Sequence, residues 1–485
     1  MTVTGDPRFP KFALLTFPNT LIRHRTPSLF GVQPGEIPES EGRQCLITTL
    51  KRQRLVFALL AASTLFLPAQ TYPQQTLPGT APPLVSAQPE SVGMSSARLA
   101  RITTAFEKEI EDKHLPGMVI MIARQGKLVY SKALGLRDPT STDIMHTDAI
   151  FRIYSMTKPI VSVGAMLLVE DGVLELTNPV SRWLPPFKDL KVITPSGEVP
   201  PERPMTVQDL LRHTAGLAYG ELTQNAAVRN ALANAGLYKP VVIEFDSRDM
   251  TGAEQVERLS KIPLIYQPGT TWEYSLAVDV LGRVVEAASG KRLSDFLNDR
   301  LFKPLRMDDT GFWVLPAKMS RLAEPFGKDP LTDTAIKLID VSRQPGNDSG
   351  GAGGVSTTGD YLRFAQMLAN GGVLDGQRIM SRTTIRLMTS DQLGSRLAIA
   401  TTPGGMVLGA STYTFGLGFA VRPTDGIAPF PGTAGDFNWG GYAGTYFWVD
   451  PKEQLVAIFM VQSAGALRAY HRILFRQLVY QAITD

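Results

Sequence analysis

The chain has 485 residues, 44% of them hydrophobic and 19% charged, with 43 glycines and 35 prolines, so it can bury a large core and is no coiled coil, collagen or largely disordered chain. A single cysteine, Cys45, excludes an internal disulfide framework and a Cys-rich zinc site. Lys and Arg outnumber Asp and Glu by 49 to 45, but residues 1–69 hold eight of the basic and four of the acidic side chains; the remaining 41 of each leave no basic footprint for nucleic acid.

Lys51-Arg52-Gln53-Arg54 precedes thirteen apolar or small residues at 55–67, and a Pro/Gln-rich stretch follows at 68–83. A basic region, a short apolar run and a small-residue exit near Ala69 form a secretory signal pattern, and the run is too short to span a bilayer. The alternative is a buried helix of the fold, against which stands the breaker-rich stretch that follows. We therefore expect an over-extended N-terminus at 1–50, a signal peptide at 51–69, a linker at 70–87, and a mature protein that is periplasmic or secreted. Cys45 would leave with the leader, and a cysteine-free body suits an oxidising compartment.

From residue 91 the pattern is globular. Leu99, Ile102, Phe106 and Ile110 recur at helical spacing behind a serine cap, which predicts a helix over 95–113. Apolar stretches at 118–123 and 128–133 flank Arg124-Gln125-Gly126-Lys127 and read as a hairpin. Helices follow at 161–171, 207–211, 277–289 and 361–370, strands at 416–422, 437–441, 445–449 and 455–461, and a closing helix at 466–483. The fold class is α/β (α+β): an antiparallel sheet built from both chain ends and flanked by helices, with a mostly helical inserted region. The domain runs over 88–482, its α/β part at about 88–158 and 389–482 and its helical part at about 159–388.

No serine sits in a Gly-x-Ser-x-Gly elbow, and no His-Glu-x-x-His suggests a metal. Asn347-Asp348-Ser349-Gly350-Gly351 echoes a protease serine but lacks the matching histidine context and reads as a turn. Ser155-Met156-Thr157-Lys158 is the sole Ser-x-x-Lys, although roughly one such match is expected by chance in a chain of this composition. Its context is informative. Pro159 confines the motif to the first turn of a helix, where positions i and i+3 share a face and the Lys158 amine can reach the Ser155 hydroxyl. A serine needs a base to become a nucleophile, and a lysine withdrawn from water can serve. The bland reading is a helix cap beside a solvated lysine.

Two further segments lower that reading. Tyr274-Ser275-Leu276 precedes an apolar helix, and its phenol could share a proton with Lys158 and pass one to a leaving group; alone it would be a core tyrosine. Trp439-Gly440-Gly441-Tyr442 lies on a predicted strand, where two glycines would let substrate approach the backbone and the next N–H complete an oxyanion hole; alone it would be a hairpin edge with a bulge.

In order and spacing these three segments resemble the motifs of the serine β-lactamase and penicillin-binding-protein superfamily, and among them family VIII carboxylesterases, which are similar to class C β-lactamases. The resemblance covers roughly 88–482 and includes Leu210-Leu211-Arg212-His213-Thr214-Ala215-Gly216-Leu217 and residues 350–358. It implies a β-lactamase/transpeptidase-like fold, Ser155 as the acylated nucleophile, Lys158 and Tyr274 as its proton-handling partners, and the N–H groups of Ser155 and Tyr442 as the oxyanion hole. Trp439, Gly440 and Gly441 would line the substrate. His213 matches a recurrent segment and reads as structural, and residues 350–354 as a turn beside the site.

Two departures bear on substrate. Class C enzymes usually carry Asn where Leu276 stands, and Lys where Trp439 stands. Loss of both polar contacts implies uncharged, apolar acyl groups over anionic penicillins. The expectation is a serine carboxylesterase for short-chain acyl esters, without metal or organic cofactor, acting on a small-molecule ester or β-lactam, with no nucleic acid and no stable membrane span. The rivals are a β-lactamase or D-amino peptide hydrolase on the same scaffold, and a non-turnover module that recognises cell wall or β-lactam.

Overall fold

Ser95 caps the first helix, α1 (Ser96–Glu111), by accepting the Arg98 backbone N–H, and Leu99, Ile102 and Phe106 bury one face of it. Strands β1 (Gly117–Arg124) and β2 (Lys127–Gly135) then pair around Gln125 and Gly126, whose φ values of 52° and 74° make the two-residue turn that matches strand twist. These elements belong to a computed structural model that describes residues 83–239, 248–409 and 412–485. The expected extension at 1–50, the signal peptide at 51–69 and most of the 70–87 linker lie outside the described residues.

Next come β3 (Ile150–Arg152), α2 (Thr157–Glu170), α3 (Val207–Leu211), α4 (Ala277–Ser289), β4 (Val355–Thr357) and α5 (Thr358–Ala369). The chain returns through β5 (Thr414–Phe415), β6 (Ala420–Val421), β7 (Phe437–Gly440), β8 (Tyr446–Asp450) and β9 (Leu455–Val461), and ends on α6 (Arg468–Tyr480). The main sheet has the order β5-β6-β7-β8-β9-β1-β2, all antiparallel, so the two chain ends meet where β9 pairs with β1 from Met118↔Val461 to Arg124↔Leu455. This is the α/β architecture expected, with helices between the two halves of the sheet.

Every residue of β1, β8 and β9 is buried, because both faces of the sheet are covered. On one face Phe106 of α1 and Phe475 of α6 pack on Phe459. On the other, the ring of Tyr361 in α5 lies 5.0 Å from that of Phe447. That is why these strands read as unbroken apolar runs.

The strand expected at 416–422 is instead a tight hairpin, in which Thr414 pairs with Val421 and Phe415 with Ala420. Gly418 turns it with a φ of 98°, and a Cβ there would collide with Ser162 of α2, so the hairpin tip packs directly on that helix. Short helices at Ala226–Asn234, Gly252–Leu259 and Arg382–Met388 escaped the apolar period, each being under three turns, although each starts on a capping side chain: Asn225, Thr251 and Ser381. No described helix is long and apolar enough to cross a membrane.

Candidate active site

Ser155 lies in a single 3-10 turn, Tyr154–Met156, between β3 and α2. Tyr154 takes a φ of 44°, an uncommon conformation for a bulky residue, and its surroundings hold it there. The Tyr154 hydroxyl accepts the Ile339 N–H at 2.9 Å, and the Thr157 hydroxyl donates to the Tyr154 carbonyl at 2.6 Å while accepting the Gly354 N–H at 2.9 Å. The Tyr361 hydroxyl donates to the Met156 carbonyl. The turn is clamped from three segments.

Lys158 follows in the first turn of α2, where Pro159 forfeits no helical bond. The side chain is buried, and Nζ donates to three oxygens: Ser155 Oγ at 3.3 Å, Tyr219 Oη at 3.0 Å and Gly351 O at 2.8 Å. Tyr274, just before α4, donates its hydroxyl to Ser155 Oγ at 2.6 Å, and Nζ lies 4.5 Å from the centre of its ring. Ser155, Lys158 and Tyr274 therefore meet although Tyr274 is 119 residues from the serine. With two amine positions directed at Tyr219 and Gly351, the third faces the serine, so the amine can exchange a proton there.

Tyr219 is the residue that the sequence reading missed. It follows the His213–Leu217 segment by two positions, which is the only signal it offers. Burial, then the neighbouring Tyr274, push its phenol well above the usual value, so it stays protonated at neutral pH. His213 braces the site as expected of a structural residue: it is buried, its Nδ1 accepts the Ser275 N–H at 3.3 Å, and its ring lies 5.0 Å from that of Tyr274. Burial, then the Lys158 charge, hold the imidazole well below its usual value and keep it neutral. The Ser349 hydroxyl donates to Asp279 at 2.6 Å and the Gly351 N–H to the same carboxylate at 3.1 Å. Ser349 thus fixes the turn that offers Gly351 O to Lys158.

Asp209 anchors the loop carrying His213 and Tyr219. Its buried carboxylate accepts from Arg203, Arg212, Thr206 and Thr214. Burial alone would raise its pKa, but the bonds from Arg203 and Thr206 hold it below the ordinary value. Such a group contributes stability that is present above the unfolded pKa of about 3.9 and is lost as pH falls through the folded value. Asp209→Ala is expected to lower unfolding free energy at pH 7 by about 2–3 kcal/mol in urea titrations, with the deficit shrinking as the parent is taken towards pH 3. An undiminished deficit in acid would contradict the assignment.

The third segment ends β7 beside the serine. The glycines also make room for close packing at the strand end. A Cβ on Gly440 would fall 2.7 Å from the Arg472 guanidinium carbon, and one on Gly441 would collide with the Ile153 carbonyl. They let α6 and the nucleophile's turn close on the strand end, and both glycines also line the cavity beside Ser155. Tyr442 then sets its ring edge-on to Tyr154 at 5.5 Å. Trp439 lies 5.3 Å from the Tyr274 ring.

Ser155, Tyr274, Trp439 and Tyr442 line a cavity of about 470 Å³, walled also by Leu222, Leu408 and Phe430. Leu276 is buried in the core. The cavity is not as uncharged as expected: Glu221, Arg468 and Arg472 also border it. Burial pushes the Glu221 carboxyl up to about 7, whereas burial and the Arg468 charge bring Arg472 down to about 10, still cationic at neutral pH. Among the described residues no cluster of His, Cys, Asp and Glu could hold a metal ion.

A model of the Beta-lactamase family matches residues 102–480. Esterase EstB of Burkholderia gladioli is 32% identical over 404 residues, covering 78% of this chain and 94% of the relative. Lovastatin esterase of Penicillium rubens is 28% identical over 406 residues, covering 78% of this chain and 97% of its own. Among solved structures, EstCE1, described as a hydrolase with promiscuous acyltransferase activity, superposes with a TM-score of 0.67 at 28% identity over 79% of this chain and 99% of that one.

Proposed function

The chain belongs to the Beta-lactamase family and is a serine hydrolase of that fold, and from this premise we propose that it is a carboxylesterase acting on short-chain acyl esters through an acyl-enzyme on Ser155. One observation carries the reading: the Tyr274 phenol and the Lys158 amine converge on Ser155 Oγ at 2.6 and 3.3 Å, at the wall of a cavity.

Ser155 Oγ attacks the acyl carbon while its proton passes to the Lys158–Tyr274 pair. The backbone N–H groups of Ser155 and Tyr442 take the negative charge that develops on the carbonyl oxygen. Collapse of the adduct expels the alcohol, protonated by Tyr274, and leaves an ester on Ser155. Water then attacks that ester, gives its proton to the same pair, and frees the acid and the serine. Tyr219 and Gly351 orient the amine throughout.

Two features favour an ester. Trp439 stands where class C β-lactamases carry lysine, and the apolar wall of Leu222, Leu408 and Phe430 suits an acyl chain. The named relatives EstB and lovastatin esterase are esterases by description. A second reading, β-lactam hydrolysis, is favoured by the Arg468 and Arg472 guanidiniums at the cavity, because a β-lactam brings a carboxylate. Purified enzyme should show a kcat/KM on p-nitrophenyl butyrate about 100-fold or more above that on nitrocefin. The reverse order would replace the esterase by the lactamase.

A further inference from the structure

Helix α6 crosses the end of β7 and presents two arginines, one turn apart, to the 441–445 turn. Arg472 donates from Nε to the Gly444 carbonyl at 3.3 Å and from Nη2 to the Thr445 carbonyl at 3.0 Å, and Nη2 also bonds the Gly441 carbonyl. Arg468 donates to the Tyr442 carbonyl at 3.1 Å, and its guanidinium carbon stands 5.1 Å from the centre of the Tyr442 ring, which meets Tyr154 edge-on. Neither arginine has a carboxylate partner among the described residues, whereas Arg476, one turn further on, pairs with Asp436. Both side chains are half-buried, and backbone carbonyls replace part of the water their guanidiniums give up. Gly440 is kept bare so that the Arg472 guanidinium can lie there.

The carbonyl of Gly441 and the N–H of Tyr442 belong to one peptide group. A cation bonded to that oxygen withdraws electron density and makes the N–H a stronger donor, and a fixed positive charge beside the site favours negative charge on substrate. We infer that Arg472 is a positioning residue that aims and polarises the Gly441–Tyr442 peptide towards the oxyanion, with Arg468 steadying the next carbonyl. The inference rests on the proposed role of the Tyr442 N–H.

The test compares the parent with Ser155→Ala, Arg472→Ala and Arg472→Lys, on p-nitrophenyl butyrate and on inhibition by an arylboronic acid, whose tetrahedral adduct on the serine places a negative oxygen in the hole. Undiminished turnover by Ser155→Ala would overturn the underlying assignment, whatever Arg472 does. With that variant inactive, Arg472→Ala is expected to lose about 30-fold in kcat with KM within about twofold, and to bind the boronate more weakly by the same factor. Arg472→Lys should recover part of both, and guanidinium chloride added to Arg472→Ala should raise its kcat. A kcat and boronate affinity within about twofold of the parent, or a loss confined to KM, would overturn the inference. Should Arg472→Ala not accumulate as folded protein, the same two readouts on Gly440→Ala, which pushes the guanidinium off the turn, decide it by the same criteria.

Discussion

Lys158→Met is expected to lower kcat/KM for p-nitrophenyl butyrate by about 10³-fold, and Ser155→Ala by about 10⁴-fold or more, with both variants still folded. Lysine and methionine have similar length, so packing is kept, while the buried Gly351 carbonyl and Tyr219 oxygen lose their donor at a cost of about 1–3 kcal/mol of stability. What is lost is the group that takes the serine proton: Nζ stands 3.3 Å from Ser155 Oγ and is steered there by Tyr219 and Gly351. Tyr274→Phe removes the 2.6 Å bond and should cost about 10²–10³-fold, but the effects will not multiply. The phenol and the amine move one proton between them, so the double variant Lys158→Met/Tyr274→Phe is expected to be about as slow as Lys158→Met alone. Losses that multiplied would mean two independent roles and would break the shared-proton picture. Thermal melts on the same preparations separate chemistry from unfolding.

What the sequence carried, and what it did not, divides along a physical line. Ser155 and Lys158 share one helical turn, Tyr274 heads an amphipathic helix, and Trp439 to Tyr442 end a strand, so each segment was legible from its own neighbours. The 416–422 run looked extended because its residues are apolar, and only packing of Gly418 on Ser162 bends it into a hairpin. Tyr219 and Glu221 lie in a loop without period, and nothing local reports that the first meets Lys158. The case of α6 is more instructive. Arg468, Arg472 and Arg476 recur every fourth residue, a stripe that ordinarily marks a solvated face. Here Arg476 is buried and Arg468 and Arg472 are half-buried against the 441–445 turn, because β7 ends in glycines that let the helix approach. That fact belongs to the register of two distant elements, which no hydrophobic period encodes.

The same helix explains the largest expected loss of stability. Asp436, just before β7, is fully buried and accepts from two equally buried arginines: Arg422 Nε at 2.7 Å, and Arg476 Nη2. The two guanidiniums also share the Pro431 carbonyl, at 3.1 Å from Arg422 and 2.7 Å from Arg476, so one carboxylate joins β6, the 430–436 loop and α6. Asp436→Asn keeps the shape and removes the charge, leaving two cations unneutralised in a dry site. The expected fall in unfolding free energy is about 3–5 kcal/mol, read from the urea midpoint at constant slope. If unpaired charge is the cause, replacing the whole cluster with apolar side chains, as in Asp436→Leu/Arg422→Met/Arg476→Met, should recover most of the loss, because the desolvation penalty leaves with the ions. Loss of packing alone would make the triple variant at least as unstable as the single one. Esterase activity adds an independent reading, since Arg472 sits one turn before Arg476 and its aim depends on where α6 is anchored. Below its own melting range, Asp436→Asn should keep KM and lose part of kcat; an unchanged kcat would show that α6 holds its place without the ion cluster.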